Sequence, residues 1–101
     1  MRLPRVRFTV RRMMVVVAID SEEARVMAGP DLISKGVFYL PESDGVIDEL
    51  RKELLTALGE VSVEAMRDVN AVKEHIRSAV TKSIYSRTKR RPVVIPVVME
   101  V

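Results

Sequence analysis

Histidine and cysteine, which often serve as metal ligands and in catalysis, are nearly absent from this chain. His75 is the single histidine and cysteine is absent, so the chain cannot build a multi-histidine or thiolate metal site by itself. Ser34, Ser43 and Ser83 lack a nearby general base that the sequence identifies, and a hydroxyl without one is a weak nucleophile. We therefore predict no catalytic and no metal-binding residue in this chain, and we expect His75 to lie on a solvated helix face.

Carboxylates are concentrated in one predicted turn. Asp20, Glu22 and Glu23 fall within "DSEEA", where they could suggest a cation site, but such a cluster in a turn is usually only solvated. Asp31, within "GPD", is of a type that caps turns through its side chain. We interpret both features as structural.

Positive charge is concentrated at two places. The denser cluster is Arg87, Lys89, Arg90 and Arg91. It could contact RNA phosphates through non-specific electrostatics, or it could complement the negative C-terminal end of a preceding helix. The second set is Arg2, Arg5, Arg7, Arg11 and Arg12. We interpret that set as a solvated lead-in or a contact with another domain.

Aromatic residues could take part in RNA binding by stacking on bases. They make up only 4% of the chain, without tryptophan, and base stacking needs exposed aromatic platforms. Tyr39 and Tyr85 are therefore expected at the rim of the core, where their ring can be buried and their hydroxyl hydrated.

The elements that would position these residues can be read from the hydrophobic pattern. "MMVVVAID" (13–20) predicts a strand with both faces buried, and "RVMAG" (25–29) predicts its antiparallel partner across the acidic turn. Pro30 in "GPD" is expected to interrupt the second strand. "GVFYL" (36–40) predicts a short extended segment, and "VVIPVVMEV" (93–101) predicts the last strand.

Two helices are predicted between these strands. The first follows Ser43 or Asp44 as N-cap, carries its apolar stripe on Ile47, Leu50, Leu54 and Leu58, and stops at Gly59. The second has Asp68 as its better N-cap and a stripe on Val69, Val72, Ile76, Val80 and Ile84. Residues 62–67 could form a separate turn, and Pro92 ends any helix at that point.

The predicted fold is an α+β two-layer sandwich with the order β-β-α-α-β. Its sheet has three or four strands, and both helices pack on one face because their stripes must be buried. The last strand places Val93, Ile95, Val97 and Met99 on one face and Val94, Pro96 and Val98 on the other. The first strand (13–20) and the last strand are apolar on both faces, whereas the two helices cover only one face of the sheet. The fold therefore leaves an apolar face uncovered, which is typical of an interaction surface.

We predict as interface residues Met14, Val16, Val94, Pro96 and Val98. A loop formed by residues 2–12 or 34–40 could cover the face instead. Pro96, which has no N–H, is expected at a sheet edge or a bulge. An open edge is a second place where another chain could pair.

Length and composition fit one small domain. The chain has 101 residues, of which 48% are hydrophobic and 31% charged, with a net charge of +3. This is an ordinary globular balance. No stretch approaches the roughly 20 apolar residues of a membrane helix, and the absence of cysteine favours a reducing cytoplasm. We therefore expect a cytoplasmic domain with no membrane partner.

Three segments resemble a known family. They are "VVVAID", "AGPDLISKGVFYLPES" and "IRSAVTKSIYSRTKRRPVVIPVVMEV". They are similar to the C-terminal domain of ribonuclease J, an RNA-processing enzyme of the metallo-β-lactamase and β-CASP class. The resemblance runs over residues 13–101, which leaves residues 1–12 as a basic lead-in or linker. The turn "DSEEAR" lacks the expected glycine, and residues 60–67 have no counterpart that we can name.

The resemblance implies a function for the parent enzyme and a supporting role for this chain. The family cleaves RNA within the chain and from the 5′ end, at a two-zinc centre whose ligands are absent here. The chain would then have no cofactor and no catalytic residue of its own, with zinc in the parent's catalytic domains. The implied role is to support oligomer assembly and activity, with a homodimer or the enzyme's own catalytic domains as partner. The alternative is an RNA-positioning module that uses Arg87, Lys89, Arg90 and Arg91.

Overall fold

The computed structural model describes residues 12–35, 43–89 and 91–101. In chain order, these form β1 (Arg12–Asp20), β2 (Arg25–Lys35), α1 (Ser43–Gly59), α2 (Val63–Met66), α3 (Val69–Thr88) and β3 (Val93–Glu100). The predicted α+β two-layer arrangement is confirmed, with the short helix α2 as an addition. The predicted segment 36–40, and with it a fourth strand, lies outside the described residues, as does the lead-in before Arg12.

The sheet places β1 in the centre. Its strand order is β2-β1-β3. β1 is antiparallel to β2 and parallel to β3. A parallel neighbour requires a long crossover connection, and α1, α2 and α3 supply it.

The helices pack their apolar stripes against one sheet face. Leu50, Leu54 and Leu58 of α1 are buried, as the spacing predicts. So are four stripe residues of α3: Val72, Ile76, Val80 and Ile84. They meet the β1 side chains Met13, Val15, Val17 and Ile19 in a single apolar cluster.

Both ends of helix α3 are capped, the N-terminus by a side chain and the C-terminus by a backbone N–H group. The carboxylate of Asp68 accepts hydrogen bonds from the N–H groups of Asn70 and Ala71, which confirms Asp68 as the N-cap. At the other end Lys89 takes the left-handed conformation (φ 58°) and donates its N–H to the Tyr85 carbonyl. The separate turn predicted at 62–67 is α2, whose cap Ser62 accepts from Ala65 N–H.

The prediction that Pro30 interrupts the second strand is wrong. β2 continues through Gly29 and Pro30, and the β1–β2 register shifts between Val16 and Ala18 and again between Ala18 and Ile19. These irregularities accommodate the extra residues. Gly29 makes this possible, since it adopts φ +86° and a Cβ there would lie 2.7 Å from the Val16 carbonyl oxygen.

The assignment of three β3 residues to the uncovered face is also wrong. Val94 pairs with Met13, Pro96 with Val15 and Val98 with Val17. Neighbouring partners in a ladder point to the same face, so these three side chains face the helices. Val94 belongs to the core, and Val98 packs against it.

Candidate functional site

The sheet face opposite the helices carries a continuous apolar surface. In the β1–β3 register Met14 lies beside Ile95, Val16 beside Val97 and Ala18 beside Met99. On the other side of β1, Met14 lies beside Ile33. We call this surface the outer sheet face. Its apolar members are Met14, Val16, Ala18, Ile33, Val93, Ile95, Val97 and Met99.

Several large side chains of the outer sheet face are exposed. Met14 is 38% exposed, Ile33 48%, Ile95 40% and Met99 49%. Three strands about 4.8 Å apart, with four same-face rows about 6.7 Å apart, give the whole face an area of roughly 400 Å², of which the eight apolar positions take up about 260 Å². Contiguous apolar patches of a few hundred Å² on small proteins are often functional. Of the five predicted interface residues, the structure places Met14 and Val16 on this face.

Charged residues lie at the two ends of the outer sheet face. Arg12 begins β1 at one end, and the turn with Asp20, Glu22 and Glu23 lies at the other. Asp20 accepts hydrogen bonds from the N–H groups of Glu22 and Glu23, so this carboxylate has a structural role. Asp31 is exposed beside Val16, on the edge strand β2.

The β3 edge is poorly suited to pairing with another strand. Val101 N–H donates to the Ile19 carbonyl. Alternate residues of a strand direct their N–H groups to the same side, so position 96 faces away from β1. The missing N–H of Pro96 therefore costs no bond within the sheet, and it interrupts the row of donors at the open edge. This confirms the expected edge position of Pro96.

The predicted basic cluster is divided between two environments. Arg87 forms ion pairs of 3.1 Å with both Glu49 and Glu53 of α1 and also donates to the Ser83 carbonyl. Partial burial acts to lower the pKa of Arg87, but the hydrogen bonds to Glu53 and Glu49 outweigh it and raise the pKa above its usual value. Arg87 therefore joins α3 to α1.

Lys89 and Arg91 instead gather around an aromatic ring. The Lys89 Nζ and the Arg91 Cζ each lie 5.3 Å from the centre of the Tyr85 ring. This is within cation–π range. Tyr85 is 40% exposed, at the rim of the fold as the sequence predicts. Arg90, like Tyr39 and residues 2–11, lies outside the described residues.

The remaining candidates for chemistry do not converge. His75 is exposed and lines a shallow cleft with Glu60, Ser78 and Lys82. Over residues 12–35, 43–89 and 91–101, no group of three or more His, Asp or Glu side chains could hold a metal ion. Among the helices of these same segments, none combines the length and apolarity needed to cross a bilayer.

Sequence reasoning missed two features that hold or extend this site. Arg51 of α1 donates to the Pro30 carbonyl at 3.2 Å and ties the bulged part of β2 to the helix layer. Ile33 adds a third strand to the outer sheet face. The alternation of "DLISK" is the signal that could have identified Ile33 as a strand residue, had Pro30 not been interpreted as a stop.

The fold defines the class of this chain as a small α+β two-layer domain. Comparison with known protein families identifies the family to which this domain belongs. Residues 12–101 match the family model of the ribonuclease J C-terminal domain. The chain therefore belongs to the ribonuclease J C-terminal domain family, as the three sequence segments indicate.

The curated proteins that this chain resembles are named ribonuclease J2 or ribonuclease J 2. Ribonuclease J2 of Bacillus subtilis is 29% identical over 89 residues, covering 88% of this chain and 16% of that protein. Ribonuclease J 2 of Staphylococcus epidermidis is 31% identical over 86 residues, covering 85% and 15%. Ribonuclease J 2 of Staphylococcus saprophyticus is 32% identical over 87 residues, again covering 85% and 15%. The chain thus spans about a sixth of the length of the curated relatives it matches.

Proposed function

We propose that this domain supports the assembly of a ribonuclease J-like RNA-processing enzyme by docking through its outer sheet face. The observation that carries the proposal is the row of exposed apolar side chains formed by Met14, Ile33 and Ile95, opposite the helix layer. Surfaces of this kind on small domains are typical of interfaces. In this proposal, RNA cleavage and the zinc centre belong to the rest of the enzyme. The described residues of this chain do not fit a zinc centre, so no catalytic step is assigned to them.

The proposed occupant of the outer sheet face is the same face of a second copy. A two-fold, antiparallel arrangement would bring the Arg12 end of one sheet over the acidic turn of the other, at Asp20 and Glu22, since Glu23 is already paired with Arg25. Asp31 lies on the edge strand, at the rim of such a contact, where it stays hydrated. Pro96 at the β3 edge favours this face-to-face contact over strand addition at that edge.

The size of the face sets the expected strength of the contact. Two faces of about 400 Å² bury roughly 800 Å² in total, below the 1,200 Å² or so of stable interfaces. The isolated domain should therefore dimerise weakly, with a dissociation constant of about 100 µM to 1 mM. In a longer protein, further contacts between the two bodies would raise the effective concentration of the faces.

Sedimentation velocity over a concentration series of the chain tests this proposal. We expect the Ile95→Lys variant to weaken dimerisation at least about tenfold, because it buries an unpaired charge. Leu55→Lys is the matched control, since Leu55 is 43% exposed on α1, away from the sheet. A chain that is monomeric throughout overturns the second copy as occupant. If Ile95→Lys then still lowers the activity of the full-length enzyme, the face docks the catalytic body instead.

A second candidate function is the positioning of RNA. It is favoured by Lys89 and Arg91, which have no ion-pair partner within the described residues and surround an exposed tyrosine. Arg87 is unsuited to this role because two glutamates already neutralise it. The cytoplasmic location of the enzyme stays a prediction from the absence of cysteine.

A further inference from the structure

The solvent side of α3 carries a groove that the sequence motifs did not reveal. It has a volume of about 420 Å³ and is lined by Glu74, Arg77, Ser78, Thr81, Lys82, Tyr85 and Arg91. The α3 members recur at helical spacing, opposite the buried stripe. We call this feature the α3 groove. It lies on the helix layer, whereas the outer sheet face lies on the opposite side of the sandwich.

The charges of the α3 groove are mostly uncompensated. Arg77 pairs with Glu74, three residues before it on the same helix. Lys82 and Arg91 line the groove, and Lys89 lies beside it over the Tyr85 ring. None of the three forms an ion pair with a described carboxylate. Lys89 and Arg91 lie near one ring and repel each other unless an anion accompanies them, so their grouping, with Lys82 in the same groove, favours a negatively charged ligand.

Tyr85 determines how close two of these cations lie. Its ring holds the Lys89 ammonium and the Arg91 guanidinium at 5.3 Å each from its centre. The ring quadrupole offsets part of their repulsion. A guanidinium placed in this way can donate two hydrogen bonds to one phosphate, and an ammonium can approach the next. The hydroxyls of Ser78 and Thr81 line the same groove.

We infer that the α3 groove binds the phosphodiester backbone of single-stranded RNA, with Lys82, Lys89 and Arg91 as the phosphate contacts and Tyr85 as the residue that positions two of them. This inference deepens the second candidate function and is independent of docking at the outer sheet face. From Arg77 to Lys89 the helix rises about 18 Å, the axial length of about five stacked nucleotides. The contacts are to the backbone, so the groove accepts RNA without sequence preference.

Fluorescence anisotropy with a labelled oligouridylate tests the inference on the whole chain. Each lost phosphate contact should reduce the slope of log affinity against log salt by about 0.7. Between 1 M and 50 mM salt, that slope corresponds to about an eightfold loss of affinity per contact at the lower concentration. We expect Arg91→Gln and Lys89→Gly each to show this loss. Lys89→Gly also keeps the helix end, because glycine is the preferred residue in the left-handed conformation found there.

Matched variants separate the groove from general positive charge. Lys52→Gln removes an exposed cation of α1 that does not line the groove, and it should leave the affinity within about twofold. Tyr85→Leu should weaken binding, whereas Tyr85→Phe, which keeps the ring, should restore it. Circular dichroism confirms that each variant is folded before its affinity is compared.

The possible outcomes distinguish the site from the function. If the unaltered chain does not bind the oligouridylate at low salt, the RNA-positioning function fails and the groove assignment fails with it. If the chain binds but Lys52→Gln weakens binding as much as Arg91→Gln, the function stands and the groove assignment is overturned. Displacement of the RNA by inorganic phosphate, at an ionic strength where chloride has no effect, would assign the groove to small anions and overturn RNA as its ligand.

Discussion

Two arginines four positions apart, Arg87 and Arg91, have different partners and therefore different expected effects. The Arg87→Gln variant should lower the free energy of unfolding by about 1 kcal/mol, because it removes two partly exposed ion pairs between α3 and α1. Its RNA affinity should stay within about twofold of the unaltered chain, since Glu49 and Glu53 already neutralise Arg87. Urea denaturation and anisotropy measure the two quantities.

Arg91→Gln is the matched control and should show the reverse behaviour. It should keep its stability, since its only described interaction is the cation–π contact with an exposed ring, while its RNA affinity falls. If the two variants lost stability and affinity in the same proportion, the division of the basic cluster into a structural and a binding part would be wrong.

Gly29 is the residue at which a single methyl group should be most damaging. Its φ of +86° disfavours any other residue, and an added Cβ would meet the Val16 carbonyl oxygen at 2.7 Å and the Val17 Cα at 3.4 Å. Both are backbone atoms of the central strand and cannot move aside cheaply. Gly29→Ala should therefore cost about 2–4 kcal/mol of unfolding free energy, measured by urea denaturation.

Gly45 supplies the control for that change. A Cβ at Gly45 meets nothing within 4 Å, and the residue lies inside α1. Gly45→Ala should stabilise the domain by about 0.5–1 kcal/mol, because alanine is the better helix former. Equal effects of the two substitutions would refute the proposed role of the bulge.

At the scale of elements, the capping of α3 is the feature most open to measurement. Asp68→Ala removes the acceptor for the N–H groups of Asn70 and Ala71. It should cost about 1 kcal/mol of unfolding free energy. Asp68→Asn retains an acceptor oxygen and should recover most of the loss. A thermal denaturation in which Asn and Ala behave alike would show that the cap contributes little.

The elements that local chemistry specifies were predictable from the sequence. The stripes of α1 and α3 follow a helical period that only one burial pattern satisfies, and Asp68 is a strong N-cap residue in front of the second stripe. The acidic turn between β1 and β2 follows from polar residues between two predicted strands. In these cases all the information lies within about four residues of the feature.

The features that depend on distant residues were not predictable in this way. The alternation of β3 separates Val94, Pro96 and Val98 from their neighbours, but it does not say which set faces the helices, because both are apolar. The register of β3 with β1 determines which set faces the helices, and β1 is distant from β3 in the sequence. The continuation of β2 past Pro30 likewise depends on the bulge against Val16 and on the hydrogen bond from Arg51.

At the scale of the whole molecule, the two proposed surfaces lie on opposite layers and depend on different forces. Raising salt from 50 to 200 mM should weaken RNA binding about twentyfold for three phosphate contacts. Self-association through an apolar face should change less than about twofold over the same range. Anisotropy and sedimentation at matched salt concentrations measure both. A dimer that dissociates with salt as steeply as the RNA complex would contradict an apolar interface.

The parallel pairing of β1 with β3 affects how the domain folds during translation. The central strand receives its second neighbour only after the whole helix layer has been synthesised, since Val94 meets Met13 across nearly the full sequence. Such a high contact order slows folding. While the nascent chain leaves the ribosome, the backbone N–H and C=O groups on the β3 side of β1 have no strand partner until "VVIPVVME" has emerged. Chaperone binding during translation should therefore concentrate on the apolar run of β1.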